Sequence, residues 1–279
     1  MGFFKKKARE EVANLFRPGL EAELMPPSCS NSYTSYFGNY NHLSSLGSNV
    51  YFRMMENLNK YSLNDLGNVE VEIKFGTLLD KVTKNRIYLP ISSPVLLNPD
   101  TDFYFESYIS GSNHKTANST LNEYYRHLCE NNLKAKYKHD KILDYKHDKI
   151  LDRFYKVDHE KIRASFINEA CSEIISKKNI FHMHVHYPNA PYDIRLSVNR
   201  EIPRPESLIT DGDMIYSRHK DRLSYILPLF AKIDLTMVHE TDNPRPIFEL
   251  EIELSPEGIC EKMYIDAINM VDLLQTSFK

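Results

Sequence analysis

Near the end of the chain three glutamates alternate with apolar residues, Phe248-Glu249-Leu250-Glu251-Ile252-Glu253-Leu254. Successive side chains of a strand point to opposite faces, so this spacing sets all three carboxylates on one face. A related half-pattern, Val69-Glu70-Val71-Glu72-Ile73-Lys74-Phe75-Gly76, stands far earlier. Two acidic strands so far apart predict one site, assembled where the strands meet. Such crowding is costly without a cation. Carboxylates roughly 6–7 Å apart at an effective dielectric of about 20 repel by about 2–3 kcal/mol. A divalent metal turns that repulsion into binding, and oxygen-only ligands favour Mg²⁺ or Mn²⁺ over Zn²⁺.

The elements that position these residues are mostly strands. Alternation predicts strands at 68–76, 86–90, 103–108, 180–187, 192–201, 219–227, 231–239 and 247–254. Helical spacing predicts helices at 49–62 (Val50, Met54, Leu58, Tyr61), 115–132, 166–178 and about 256–275. In the last, Ile259, Met263, Ala267, Met270 and Leu274 form an apolar stripe suited to packing on a sheet or to a dimer interface. Residues 17–48 are rich in Ser, Asn, Pro and Tyr without periodicity, which reads as an irregular arm. The expected division is an arm at 1–48 and a single catalytic domain at 49–279.

Several of these strands have one charged face. Asp193, Arg195, Ser197, Asn199 and Glu201 share a face, as do Lys220, Arg222 and Ser224, and Lys232, Asp234 and Thr236. For any one strand, a water-facing antiparallel sheet explains this. Jointly the faces sort by sign, with glutamates on two strands and Lys and Arg on others. A closed antiparallel barrel would turn these faces to a shared lumen and leave the apolar outside to helices. A lumen holding carboxylates and cations suits polyphosphate chemistry.

Composition sets the limits. The 279 residues are 42% hydrophobic and 26% charged, as in ordinary globular domains. The formal net charge of −3 excludes a global basic field for nucleic acid. No apolar run is long enough to span a membrane. Cys29, Cys129, Cys171 and Cys260 have neither zinc nor disulfide spacing, which suggests a reducing compartment. Lys5-Lys6-Lys7 reads as a solvated charge run. His182, His184 and His186 alternate on one strand, and a polar face explains them better than a zinc site. Residues 137–144, Tyr-Lys-His-Asp-Lys-Ile-Leu-Asp, are repeated at once in 145–152. The period is too short for a solenoid and reads as a local duplication in a surface helix or loop.

Together, Glu70-Val71-Glu72-Ile73-Lys74, Lys220-Asp221-Arg222-Leu223-Ser224-Tyr225, Asp234-Leu235-Thr236 and Glu249-Leu250-Glu251-Ile252-Glu253 resemble the fungal and protozoan type of mRNA 5′-triphosphatase, the beta subunit of the capping enzyme and a triphosphate tunnel metalloenzyme. The resemblance covers roughly residues 68–254. It implies an α+β fold, an eight-stranded antiparallel tunnel with helices outside, removing the γ-phosphate of nascent RNA with Mg²⁺ or Mn²⁺. Carried over, Glu70, Glu72 and Glu253 would ligate the metal, with Glu249 and Glu251 supporting from the opposite wall. Lys220, Arg222 and Arg163 would hold the γ-phosphate. Arg195, Lys232 and either Lys178 or Lys177 would be further basic tunnel positions. Glu201 or Glu251 would hold the attacking water, and Asp152, Asp234 and Thr236 would brace the basic residues. The resemblance also implies a nuclear role, guanylyltransferase as partner, nucleoside triphosphates as side substrates and possible homodimers. Lys232 stands where relatives often have arginine, keeping the charge without the fork. The chain has no tryptophan, unlike the segment with which budding-yeast relatives dock guanylyltransferase. Two alternatives stay open: a tunnel enzyme for tripolyphosphate, thiamine triphosphate or polyphosphate, or a silent module that binds RNA ends or polyphosphate.

Overall fold

The computed structural model describes residues 37, 44–60, 69–97, 102–130, 144–209, 214–227, 230–241, 243–255 and 260–278. Most of the expected arm, the lysine run and nearly all of the first octapeptide copy lie outside the described residues. Among the described residues, three α-helices, α1 (Ser44–Leu58), α2 (Gly111–Glu130) and α3 (Glu261–Ser277), accompany ten strands. The strands are β1 (Val69–Asp80), β2 (Val95–Leu97), β3 (Phe103–Glu106), β4 (Asp144–Val157), β5 (Glu160–Ile167), β6 (Ala170–His186), β7 (Asp193–Pro203), β8 (Met214–Leu227), β9 (Ala231–Glu240) and β10 (Ile247–Leu254).

Eight of them close into an antiparallel barrel in the order β10-β9-β8-β4-β5-β6-β7-β1, with β1 returning to β10. β1 is the seam, pairing Glu70 with Asn199 of β7 and Glu72 with Glu253 of β10. Closure leaves this sheet no free edge along the seam. The expected α+β barrel with helices outside is what the chain forms. Even-numbered residues of β1 face inward; odd-numbered Val71, Ile73 and Phe75 join the outer apolar core with Leu196, Ile233 and Ile252. α3 covers that outer face: Met263, Ala267, Met270 and Leu274 are fully buried, so this part of its stripe packs within the chain. α1 lies on α3, where any Cβ at Gly47 would stand 2.6 Å from the Ile265 Cα. Only glycine permits that approach.

Two expected elements fail. Residues 166–178 are not helical but form the β5–β6 hairpin. Its turn residues Asn168 and Glu169 have φ 50° and 66°, the left-handed pair of a tight hairpin. Asparagine tolerates that conformation, but glutamate hides the usual signal. Residues 86–90 form no strand: Arg86 makes one isolated bridge to Leu79. Pro90 cannot donate to a ladder, and side chains join a few backbone bonds, such as Ile87 N–H to the Leu78 carbonyl, in tying this loop down. Arg86 donates to Asp193 Oδ1 at 2.8 Å and to the carbonyl of Tyr187 at 2.9 Å. The second octapeptide copy lies in β4, a strand and not the expected surface helix or loop. Cys260 is disulfide-bonded and Cys171 is free and exposed. Pairing follows proximity in the fold, which spacing along the chain does not encode.

Candidate functional site

Cross-strand partners share a face, so the register identifies the lumen directly. From β1 come Glu70, Glu72 and Lys74; from β10, Glu249, Glu251 and Glu253; from β9, Lys232, Asp234 and Thr236; from β8, Arg218, Lys220 and Arg222. β4 adds Asp152, β5 Arg163, β6 Lys177, and β7 Arg195 and Glu201. The side chains interlock in charge pairs. Lys74 Nζ lies 2.5 Å from Glu251 and 3.5 Å from Glu72. Lys177 contacts Glu70 and lies 3.3 Å from Glu72, which also accepts from Asn199 Nδ2 at 2.9 Å. Lys220 bonds Asp152 at 2.6 Å, and Ser165 Oγ donates to the same carboxylate at 2.6 Å.

Arg222 is held as a fork. Its Nη1 lies 3.2 Å from Asp234 and its Nε donates to Thr236 Oγ1 at 3.2 Å. Asp234 also accepts from Ser224 Oγ at 2.7 Å. Lys232 spans Asp234 at 3.3 Å and Glu253 at 2.6 Å. Arg163 lies 3.1 Å from Glu173 and 3.7 Å from Glu201. Arg195 makes no ion pair among the described residues and stacks on Phe105, 5.0 Å from the ring centre.

Of the residues named from sequence, Lys178 is the one the fold sends elsewhere. It pairs with Arg200, whereas Lys177 pairs with Glu201 and reaches both β1 glutamates. A bulge in β6 after Asn179 breaks the simple alternation that would have chosen between them. Arg218 was not singled out. It bonds Glu240 at 2.6 Å and approaches Glu249 at 3.9 Å, and its place two residues before Lys220 was the available signal.

The histidine row does not gather. His186 bonds Asp193 at 2.8 Å, His182 faces Asn179, and His184 lies among Phe103, Phe105 and His182. Burial, then the neighbouring His182 and Arg195, push His184 down to about 4, so it is neutral at neutral pH. Among the described residues, no three His, Cys, Asp or Glu side chains converge as a ready-made metal cage. Ammonium groups stand between the glutamates instead.

The lumen's field sorts its carboxylates. Burial alone would raise Glu251, but Lys74 and Arg222 outweigh it and hold Glu251 well below the usual range. Burial, and then Glu251, raise Glu249. Burial, and then Glu70, push Glu201 up to about 7. A carboxyl that keeps its proton natively to about pH 7 but loses it near pH 4.5 when unfolded makes the native state lose stability as pH rises across that window. Glu201→Gln is therefore expected to flatten the pH dependence of unfolding free energy between about pH 4.5 and 7. Urea titrations at several pH values would show it; an unchanged slope would mean Glu201 ionises normally.

This geometry has known counterparts. The family described as mRNA capping enzyme, beta chain, matches residues 45–271. The Schizosaccharomyces pombe mRNA-capping enzyme subunit beta is 32% identical over 202 residues, 66% of this chain and 61% of that protein. The Candida albicans subunit beta is 28% identical over 197 residues, 67% of this chain and 37% of that protein. The chain thus spans about three fifths or less of these relatives' lengths. Among solved structures, S. pombe Pct1 RNA triphosphatase superposes with TM-score 0.67 at 26% identity, covering 85% of this chain and 94% of that one. Pct1 has also been solved in complex with the Spt5 CTD.

Proposed function

Because this chain belongs to the family of mRNA capping enzyme beta chains, we propose that its tunnel hydrolyses the γ-phosphate from the 5′-triphosphate end of RNA, the first step of cap formation. The observation that carries this is the sorted lumen: a glutamate wall from β1 and β10 facing a basic wall of Arg163, Lys220 and Arg222. Phosphoryl transfer needs positioning and charge neutralisation more than covalent help.

Arg222, fixed by Asp234 and Thr236, keeps its remaining guanidinium donors for phosphate oxygens. Lys220 is aimed by Asp152, itself held by Ser165. Burial lowers the Lys220 pKa against the pull of Asp152, and an anionic phosphate beside it would favour the charged form. Arg163 bridges towards Glu201, the carboxyl best suited to orient and deprotonate water near neutral pH. Glu251 stays ionised and keeps Lys74 in place.

The donor chemistry of Glu70, Glu72 and Glu253 fits a hard dication. All three offer carboxylate oxygens, Glu72 stands opposite Glu253, and each is now balanced by lysine. These three would hold Mg²⁺ or Mn²⁺, which when bound neutralises phosphate charge and activates water. Holding it would require Lys177 to yield. Adding Mg²⁺ or Mn²⁺ is expected to raise the unfolding midpoint, by about 2.7 kcal/mol of stability at a hundred times Kd. Glu70→Ala and Glu253→Ala should remove most of that gain; a gain that survives both would place the ion elsewhere.

The relatives are named as subunits of a capping enzyme. We infer guanylyltransferase as the partner, a nuclear role and nucleoside triphosphates as side substrates. The deciding experiment is γ-phosphate release from triphosphate-ended RNA, with and without metal, beside ATP and tripolyphosphate. Metal-dependent release favouring RNA supports the reading. A preference for free tripolyphosphate would move the chain to the other tunnel reactions.

A further inference from the structure

We propose that the tunnel carries a stacking platform for the first nucleoside of its substrate, formed by Phe154 and Tyr216 with Lys161 and Arg218 beside them; this rests on reading the tunnel as a 5′-triphosphate site. Phe154 lies two residues beyond Asp152 on β4 and pairs with Tyr216 of β8 on one side and Arg163 of β5 on the other. The shared face is therefore the lumen face. The antiparallel order brings the C-terminal end of β4 and the N-terminal ends of β5 and β8 to one mouth of the barrel.

There the two rings stack with centroids 4.5 Å apart and planes 17° from parallel. Lys161 Nζ lies 4.7 Å from both ring centres and donates to the Tyr216 hydroxyl at 2.6 Å. The Arg218 guanidinium stands 6.0 Å from the Phe154 ring. Both rings are half-buried and Lys161 is exposed, so the cluster stays open to solvent.

A cross-strand aromatic pair can simply stabilise the end of a barrel. Three features favour a ligand. The rings face the lumen, not the outer core. Two cations flank them. They also lie along the path of the substrate: Tyr216 precedes Lys220 on the same face by four residues, about 13 Å of strand. With the terminal phosphate at Lys220 and Arg222, the remaining phosphates run towards this mouth, and the sugar and base emerge at the rings. Base–aromatic stacking tolerates every base because each has a π-face. The platform therefore reads the presence of a nucleoside, not its identity. Lys161 and Arg218 suit the adjoining backbone phosphate.

The test compares a 5′-triphosphate oligoribonucleotide with inorganic tripolyphosphate on the full chain. Steady-state kinetics would be measured beside oligonucleotide binding by fluorescence anisotropy. Phe154→Ala and Tyr216→Ala are expected to raise KM and Kd for the oligonucleotide about ten-fold, with kcat/KM for tripolyphosphate unchanged. Equal losses on both substrates, or no loss on either, would overturn the proposal. If an alanine variant does not fold, Phe154→Leu decides, since it keeps apolar volume but has no π-face. If the native chain turns over neither substrate, the triphosphatase reading falls. Binding still judges the platform: weakening by these substitutions supports it, and indifference to them ends it.

Discussion

Glu72→Ala is expected to lower γ-phosphate release by about three orders of magnitude while leaving the barrel folded. Glu72 is buried at the seam, receives Asn199 Nδ2, and lies within 3.3 Å of Lys177 and 3.5 Å of Lys74. It is the carboxylate on which the acidic wall converges. Its loss removes one of the three proposed metal-holding carboxylates and leaves the centre of the tunnel more positive. The fold should survive because both lysines keep another partner, Glu251 for Lys74 and Glu70 for Lys177. Glu72→Gln sharpens the test, since it keeps the volume and can still accept from Asn199 but carries no charge. Release assays with circular dichroism alongside would check both variants. Near-native turnover by the glutamine variant would sink the metal-ligand role.

Asp193→Ala should do the reverse, costing about 3–5 kcal/mol of stability by stranding a buried charge network. Asp193 is fully buried. It accepts from the backbone N–H groups of Leu78 and Tyr187, from His186 Nδ1 and from Arg86 through Nε and Nη2. One carboxylate thus ties β1, the β6–β7 turn and the loop before β2. Its row on β7 is the one that supplies Arg195 and Glu201, yet its role is to hold the end of the barrel. Urea unfolding would measure the loss. Arg86→Ala should cost less, because Arg86 is partly exposed and leaves Asp193 its other donors. A destabilisation of Asp193→Ala below about 1 kcal/mol would show that the network is not holding this end.

These two carboxylates mark how far the sequence could be read. Glu72 was legible because alternation alone sets it beside Glu70 on an inward face, and register then places Glu253 opposite. Asp193 fits the same period but owes its role to Arg86, more than a hundred positions away in a loop that resembled a strand. The barrel was legible where apolar and charged residues strictly alternate, in β1, β7, β9 and β10. It was illegible in β4, β5 and the start of β6. There, among the described residues, the outer face gathers only the small buried cluster of Tyr155, Ile162 and Ala164, and the apolar signal is weak. Lys177 and Lys178 could not be told apart because a bulge resets the period nearby.

The repeated octapeptide ends at Asp152, the brace of Lys220, and its first copy ends at Asp144, the residue that opens β4. Eight is an even number, so an insertion of this length keeps every later side chain on its original face, whereas an odd insertion would turn the strand inside out. The duplicated segment therefore enters the tunnel wall without reversing it. In genetic terms the tunnel is permissive to in-frame growth of β4 in two-residue steps. Asp144 and Asp152, the last residues of the two copies, accordingly stand in the same phase on β4.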